Sequence, residues 1–416
     1  MFHRSMRLSR RSALLGLTAS FTLGRVSLAM ASAPTDKRFV VVILRGALDG
    51  LGAVTPYGDP ALAQHRAALL LPQPGTPGGM LDLGGFYGLH PALAGMHDMY
   101  GAGQMLPVHA VAGPYRVRSH FEAQDYMEYG SDHSLTSGWL NRVAALMPAT
   151  KGGSDTALAV GSTVPLLLRG PATVGSWQPK AFAEPQADLY ARLMAMHAHD
   201  KITGPAFAEG LRGRGFSDAV LGAQAGHAPA YPDMAGAARA PYQGGPNNRN
   251  AFPALAEAAG KLLAAQDGPR LAALEVGGWD THVQQKNRLG GPLKQLDEGM
   301  VALKQSMGDA WSKTAVLVMT EFGRTVRVNG NAGTDHGTGT VAFLIGGAVN
   351  GGRVQANWPG LAPSNLFENR DLQPTADLRA VTKGVLAAHF GLDARALAQV
   401  FPDSAQATAV SGLMRA

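Results

Sequence analysis

Cysteine is absent from all 416 residues. That excludes disulfides, thiolate metal sites and cysteine nucleophiles, so any metal must be held by histidine and carboxylate. Charge is sparse as well: 16% of residues are charged against 46% hydrophobic, a balance that suits a large buried core and not a disordered chain. No apolar run reaches the roughly 20 residues that a spanning helix needs. There is no repeat period and no low-complexity tract, which sets aside solenoids and arrays. Glycine and proline are plentiful, at 53 and 26, and imply many turns and long loops. The length fits one large α/β domain with insertions, or two or three domains.

The first 33 residues read as a targeting segment. Ser9-Arg10-Arg11-Ser12-Ala13-Leu14-Leu15 is a twin-arginine pattern, and a mildly apolar stretch from Ala13 to Leu23 follows it. Small-residue cleavage sites stand at Ala29-Met30-Ala31 and Ala31-Ser32-Ala33. The expectation is export, folded, to the periplasm or beyond, with no stable membrane span. This segment holds five Arg and no acidic residue. The remainder, 34–416, keeps 31 Lys+Arg against 30 Asp+Glu, a net of +1. The overall charge of +6 is therefore no argument for nucleic-acid binding.

The chemistry-bearing residues gather where apolar strands end. Arg38–Leu44 reads as the first strand, with Asp49 just past its end, although Asp49-Gly50 also suits a plain turn. Leu106–Val111 reads as the second strand. Ser119 follows it as the N-cap of a helix, with Glu122 placed to complete a capping box. A serine at a helix N-terminus beside Arg116 and Arg118 also sits where an oxyanion is stabilised. His120 is open to three readings: a ligand, a base or a packed histidine.

Residues 148–250 lose periodicity and read as an insertion or cap. Within them Ala157–Val160 and Pro165–Leu168 are strand candidates. Order returns with a helix at Ala254–Ala265 and a strand at Arg270–Val276. Asp280 and His282 follow directly, a carboxylate and an imidazole two residues apart that suit a hard or borderline divalent metal. Trp279 is placed to wall the pocket. Leu293, Leu296, Met300, Leu303 and Met307 recur at helical spacing, so 290–310 is a crossover helix.

Ala315–Thr320 is an unbroken apolar run too short for a helix, and reads as a strand buried on both faces of a parallel sheet. It stops at Glu321-Phe322-Gly323-Arg324. Asp335 and His336 follow, then a further strand, Val341–Ile345. In open α/β sheets the ligand lies outside the carboxyl ends of the strands, and Glu321, Asp335 and His336 reach that edge together. Arg324, if turned inward, offers a fork for a phosphate or sulfate oxygen.

The order Asp49, Ser119, Asp280/His282, Glu321, Asp335/His336 resembles that of the alkaline phosphatase and sulfatase-like superfamily. The resemblance implies a mostly parallel sheet with helices on both faces and an inserted cap region. It also implies one or two divalent ions (Zn, Mn, Mg or Ca) on Asp49, Asp280, His282, Glu321, Asp335 and His336. The catalytic set it implies is Ser119 as nucleophile with Arg324 and His120. The chain departs from that pattern at Phe322, where an Asp-His pair would put its His. A formylglycine sulfatase does not fit, since there is no Cys and no Pro-x-Arg after Ser119.

More closely, the chain resembles an exported bacterial family called domain of unknown function 1501. The matching segments are the twin-arginine start, Leu-Arg-Gly-Ala-Leu-Asp-Gly, Arg-Ser-His-Phe-Glu-Ala-Gln-Asp, Gly-Gly-Trp-Asp-Thr-His, Thr-Glu-Phe-Gly-Arg and Asp-His-Gly. The expected function is hydrolysis of phosphate esters, or less readily sulfate esters, on a small molecule or a polymer. The alternative is a catalytically degenerate fold acting as a periplasmic binding or assembly module.

Overall fold

Apolar β-branched runs that alternate with amphipathic helices fold here into one twisted sheet sandwiched between helical layers. A computed structural model of the chain describes residues 35–147, 156–179 and 251–415, with a few single positions between 193 and 221. The expected targeting segment and most of the expected cap lie outside the described residues.

The strands are β1 (Arg38–Arg45), β2 (Val54–Thr55), β3 (Leu81–Asp82), β4 (Gly88–Leu89), β5 (Met105–Ala112), β6 (Ala157–Val160), β7 (Val174–Trp177), β8 (Leu271–Gly277), β9 (Thr314–Thr320), β10 (Thr340–Ile345) and β11 (Ala376–Asp377). Eight of them form the main sheet in the order β11-β5-β10-β9-β1-β8-β6-β7, and β2-β4-β3 make a small separate one. In the main sheet β10 alone runs against its neighbours. The fold is therefore mixed α/β with a large, mostly parallel sheet.

The longer helices are α1 (Ala94–Gly101), α2 (His120–Tyr129), α3 (Trp139–Leu146), α4 (Ala251–Ala264), α5 (Gly290–Met307) and α6 (Leu378–Phe390). Both sheet faces are covered, as the split of β1 shows. Val40, Val42 and Leu44 join one apolar cluster with Met96, Leu262 and Leu303 of α1, α4 and α5. Phe39, Val41 and Ile43 join another with Met127, Leu140 and Val385 of α2, α3 and α6. Side chains alternate across a strand with period two, so a strand buried on both faces reads as a continuous apolar run. That is why β1 and β9 were legible. The stripe from Leu293 to Met307 is buried core. Among the described residues no helix is long and apolar enough to cross a membrane.

Part of the stretch expected as a cap instead extends the sheet. β6 and β7 add two parallel strands beside β8. Pro165–Leu168, expected as a strand, contains a 3-10 turn at Leu166–Leu168. Three leucines in a row carry no periodicity to separate the two.

The register brings the ends of β1, β8 and β9 level: Arg45 pairs with Gly277 and Leu44 with Thr320. The reversed β10 begins at that same edge with Thr340, so the 321–339 loop leaves and returns there. One buried histidine marks how tightly the neighbouring strand is held. His109 Nε2 donates to Val54 O (2.8 Å), while its Nδ1 accepts from Ala110 N–H (2.8 Å). Both nitrogens are used in the neutral ring, and a second proton would take away the acceptor.

Burial pushes His90, His109 and His389 each down to about 4. Below about pH 6.5 their unfolded counterparts bind protons that the folded chain refuses, so stability falls as pH drops from about 6.5 towards 4. Each such group contributes a slope of about 1.4 kcal/mol per pH unit inside that window. Denaturant unfolding at a series of pH values should show this, and His109→Gln should flatten the slope. An unchanged slope in that variant would contradict the assignment of His109 as a buried neutral ring.

Candidate metal centre

The loop after β8 carries Asp280 and His282, the loop between β9 and β10 carries Asp335 and His336, and the first residue of α2 is His120. Their side chains converge at the sheet edge. His120, Asp280 and His336 each offer a ligand atom, and these atoms lie within 4.8 Å of one another. Asp280 Oδ1 is the centre. It lies 3.0 Å from His282 Nε2, 3.4 Å from His336 Nε2 and 3.5 Å from His120 Nε2. His282 Nε2 and His336 Nε2 are 2.9 Å apart.

The other nitrogen of each ring is held by an acceptor. His120 Nδ1 faces Glu321 Oε1 at 2.7 Å, His282 Nδ1 faces Asp335 Oδ1 at 3.0 Å, and His336 Nδ1 donates to the Arg118 carbonyl at 2.8 Å. An acceptor on Nδ1 fixes its proton there and turns the Nε2 lone pair the other way. Three Nε2 atoms therefore crowd one carboxylate oxygen, an arrangement that repels itself unless a proton or cation lies among them. His120 Nε2 is buried and makes no hydrogen bond. Acceptors that hold the far nitrogen are the usual second layer around metal-ligating histidines.

The electrostatics agree. Burial works against charge on His120, but the Asp280 and Glu321 carboxylates outweigh it and hold the ring at about 9. Burial likewise opposes ionisation of Asp280, yet the His120, His336 and Arg324 side chains beside it hold it far below the carboxylate range. Glu321 is buried and still lowered, by His120 and Gln124. Asp335 is lowered chiefly by Asn329. The cluster is an anionic trap with solvent on one side: the Asp280 side chain is 49% exposed.

The remaining candidates of the sequence take other places. Glu321 does not join the cluster directly. Its Oε1 accepts from Gly46 N–H and Gln124 Nε2, each at 2.9 Å, besides facing His120, and its Oε2 faces Thr320 Oγ1. Asp335 likewise stands behind His282. Asp49 is buried and bound through both oxygens to Arg66, and Gln285 donates to it as well, which leaves it no vertex for a cation. The same edge position in a strand order thus serves a structural ion pair. Trp279 is buried in the core, its Nε1 donating to Val276 O, so it anchors the loop and walls no pocket. Phe322 packs its ring 5.0 Å from that of His120 and 5.1 Å from that of His336, forming an apolar floor.

Arg324 is buried, and each of its three nitrogens is bonded. It donates to the carbonyls of Ala47, Thr334, Gly46 and Trp279 and to Asp280 Oδ1. No donor is turned outward for a ligand. Gly46, at φ +119°, explains how the loops approach so closely: a Cβ there would lie 2.9 Å from Asp280 N. Ser119 is the exposed N-cap residue of α2, and its hydroxyl caps nothing; the capping box does not form. Arg118 is paired with Glu368 and Asp371, whereas Arg116 donates only to the carbonyls of Gly113 and Tyr115.

His120 is the residue whose place the sequence left open. The available signal was its position, directly after Ser119 at the end of the β5 connection, on the edge that Glu321 also occupies.

A family model described as Protein of unknown function (DUF1501) matches residues 97–401. That span contains the whole cluster and excludes Asp49. No curated protein and no solved structure matches the chain.

Removing the Arg324 guanidinium strips four carbonyls and a carboxylate of their donor. Arg324→Met should destabilise the fold by about 3–5 kcal/mol, the usual cost of breaking a buried ion pair, and Arg324→Lys should not restore it, because one ammonium cannot reach acceptors spread over three loops. Urea unfolding of both variants checks this. Wild-type stability in Arg324→Met would show that these loops do not depend on it.

Proposed function

The chain belongs to the DUF1501 family, and we propose that its strand-edge cluster is the centre of a metal-dependent ester hydrolase with an alkaline phosphatase-like fold. The observation that carries this is the convergence of three acceptor-oriented imidazoles on Asp280, with His120 Nε2 left without a partner. In a tetrahedral zinc site with bonds near 2.0–2.1 Å, ligand atoms stand about 3.3 Å apart. The three imidazole nitrogens lie 3.0–3.5 Å from Asp280 Oδ1, and His282 Nε2 lies 2.9 Å from His336 Nε2, which brackets that value. Mixed nitrogen and oxygen donors favour zinc or another borderline ion over calcium. With Asp49 and Glu321 engaged elsewhere, the proposal is one ion held by His120, Asp280, His282 and His336.

With four protein donors around it, a bound divalent cation would act through its charge, stabilising the negative charge that develops beside it as the ester is cleaved. The chain's own part is orientation. Glu321, Asp335 and the Arg118 carbonyl fix the three rings, and Phe322 shields one side from water. Ser119 is the proposed nucleophile, since its hydroxyl is exposed, unbonded and adjacent to His120 at a helix start. Its Oγ–P bond forms as the ester P–O bond breaks, and the alcohol departs with the serine proton. Water then releases inorganic phosphate and restores the serine. One observation favours the alternative of a binding or assembly module: the guanidinium groups of Arg324 and Arg118 are both engaged internally.

The deciding experiment pairs metal analysis with turnover. Wild type purified without chelator should carry about one equivalent of divalent metal, and Asp280→Ala or His336→Ala almost none. A panel of aryl phosphate mono- and diesters and sulfates should be turned over by wild type, and by neither Ser119→Ala nor Ser119→Asp. Turnover surviving in Ser119→Asp would remove Ser119 from the reaction. A metal-loaded wild type that turns over no ester in the panel would favour the binding module.

The amino-terminal pattern adds export to this proposal. Replacing Arg10-Arg11 by a Lys pair should leave precursor in the cytoplasm; continued export in a strain lacking the twin-arginine translocase would refute it.

A further inference from the structure

Two ligand-bearing loops meet at a buried glutamine, Gln285, whose bond to Asp49 is only one of its three side-chain contacts. Gln285 is 1% exposed. Its Oε1 accepts from Thr281 Oγ1 at 2.9 Å and from Thr334 Oγ1 at 2.6 Å. Thr281 lies between Asp280 and His282, and Thr334 directly precedes Asp335 and His336. One amide oxygen therefore ties the Asp280/His282 loop to the Asp335/His336 loop. The Gln285 amide is itself fixed, because its Nε2 donates to Asp49 Oδ2. Asp49 is clamped by Arg66, which also donates to the carbonyls of Thr325 and Val326.

The backbone around it points the same way. Gln285 N–H donates to Ala332 O and Gln284 N–H to Asn331 O, each at 2.9 Å. Gln284 and Ala332, neither a glycine, are held at φ +50° and +54°. Left-handed conformations of this kind persist only where the surroundings over-determine them. A Cβ on Gly333 would lie 2.3 Å from the His282 backbone, so the loops are in contact with no slack between them.

We propose that Gln285 is a positioning residue that sets the separation of the two ligand loops, and with it the distance between His282 and His336. The proposal rests on the metal reading of that cluster. It predicts that losing the amide relaxes the pair of rings rather than removing a ligand. Second-layer changes of this sort typically cost about 10–100-fold in metal affinity.

The test uses the full chain carrying Gln285→Met, the pair Thr281→Val with Thr334→Val, and all three changes together. Zn²⁺ affinity is read by competition with a chelator. In the metal-free protein, nitrogen-15 spectra of the histidine rings distinguish Nδ1–H from Nε2–H tautomers. Gln285→Met should weaken Zn²⁺ binding about 10–100-fold and release the rings of His282 and His336 from their single tautomer. The threonine pair should reproduce that loss, and the triple variant should be no worse than Gln285→Met, because both hydroxyls act through the one amide. Should Gln285→Met fail to fold, the isosteric threonine pair carries the test. Wild-type affinity and tautomers in the pair, or a further tenfold loss in the triple variant, would overturn the proposal. A wild type that binds no Zn²⁺ would instead refute the metal reading, and the ring spectra would still decide whether Gln285 holds the loops.

Discussion

A buried guanidinium cannot be deprotonated and must find acceptors for its donors. Arg324 finds them in the carbonyls of Gly46 and Ala47 after β1, Trp279 after β8 and Thr334 before β10. Loop backbone is thereby drawn towards a single point, and its last donor reaches Asp280. A second buried guanidinium, Arg66, repeats the device from beneath through Asp49, Thr325 and Val326. The two arginines convert flexible strand-end loops into fixed platforms, and the imidazoles inherit their geometry from those platforms. Aligned strand ends are the frame, but buried cation–carbonyl contacts place the side chains.

Much of the frame was legible in the sequence. Strands buried on both faces must be apolar at every position, and the runs in β1 and β9 could be little else. The edge on which Asp280, His282 and His336 meet followed from their positions after such strands. The division of labour among the carboxylates was not legible. Asp49, Glu321 and Asp335 all follow strands or precede them, yet one pairs with an arginine and two orient histidines. What separates them is the partner, and the partners lie 17, 201 and 53 residues away in the chain. Local spacing cannot carry that information. His120 was ambiguous for the same reason, since its meaning is given by Glu321. The Ser119 capping box failed in the other direction: the local pattern was present, but the hydroxyl does not bond to the helix.

The short elements escaped notice because they carry little signal. β2, β3, β4 and β11 are two residues each, below the length at which alternation can be read. β7, Val-Gly-Ser-Trp, holds a glycine and a serine, and its place in the sheet comes from pairing with β6, not from its own propensity.

The central claim is that three imidazoles and one carboxylate share a single cation. X-ray absorption at the metal edge of the purified protein tests it most directly, since it reports the donor set irrespective of substrate. The account predicts a four-coordinate ion with three imidazole nitrogens at about 2.0–2.1 Å and one oxygen donor, as expected for zinc in a tetrahedral site. A shell of six oxygens without imidazole scattering, in protein that carries metal, would contradict it.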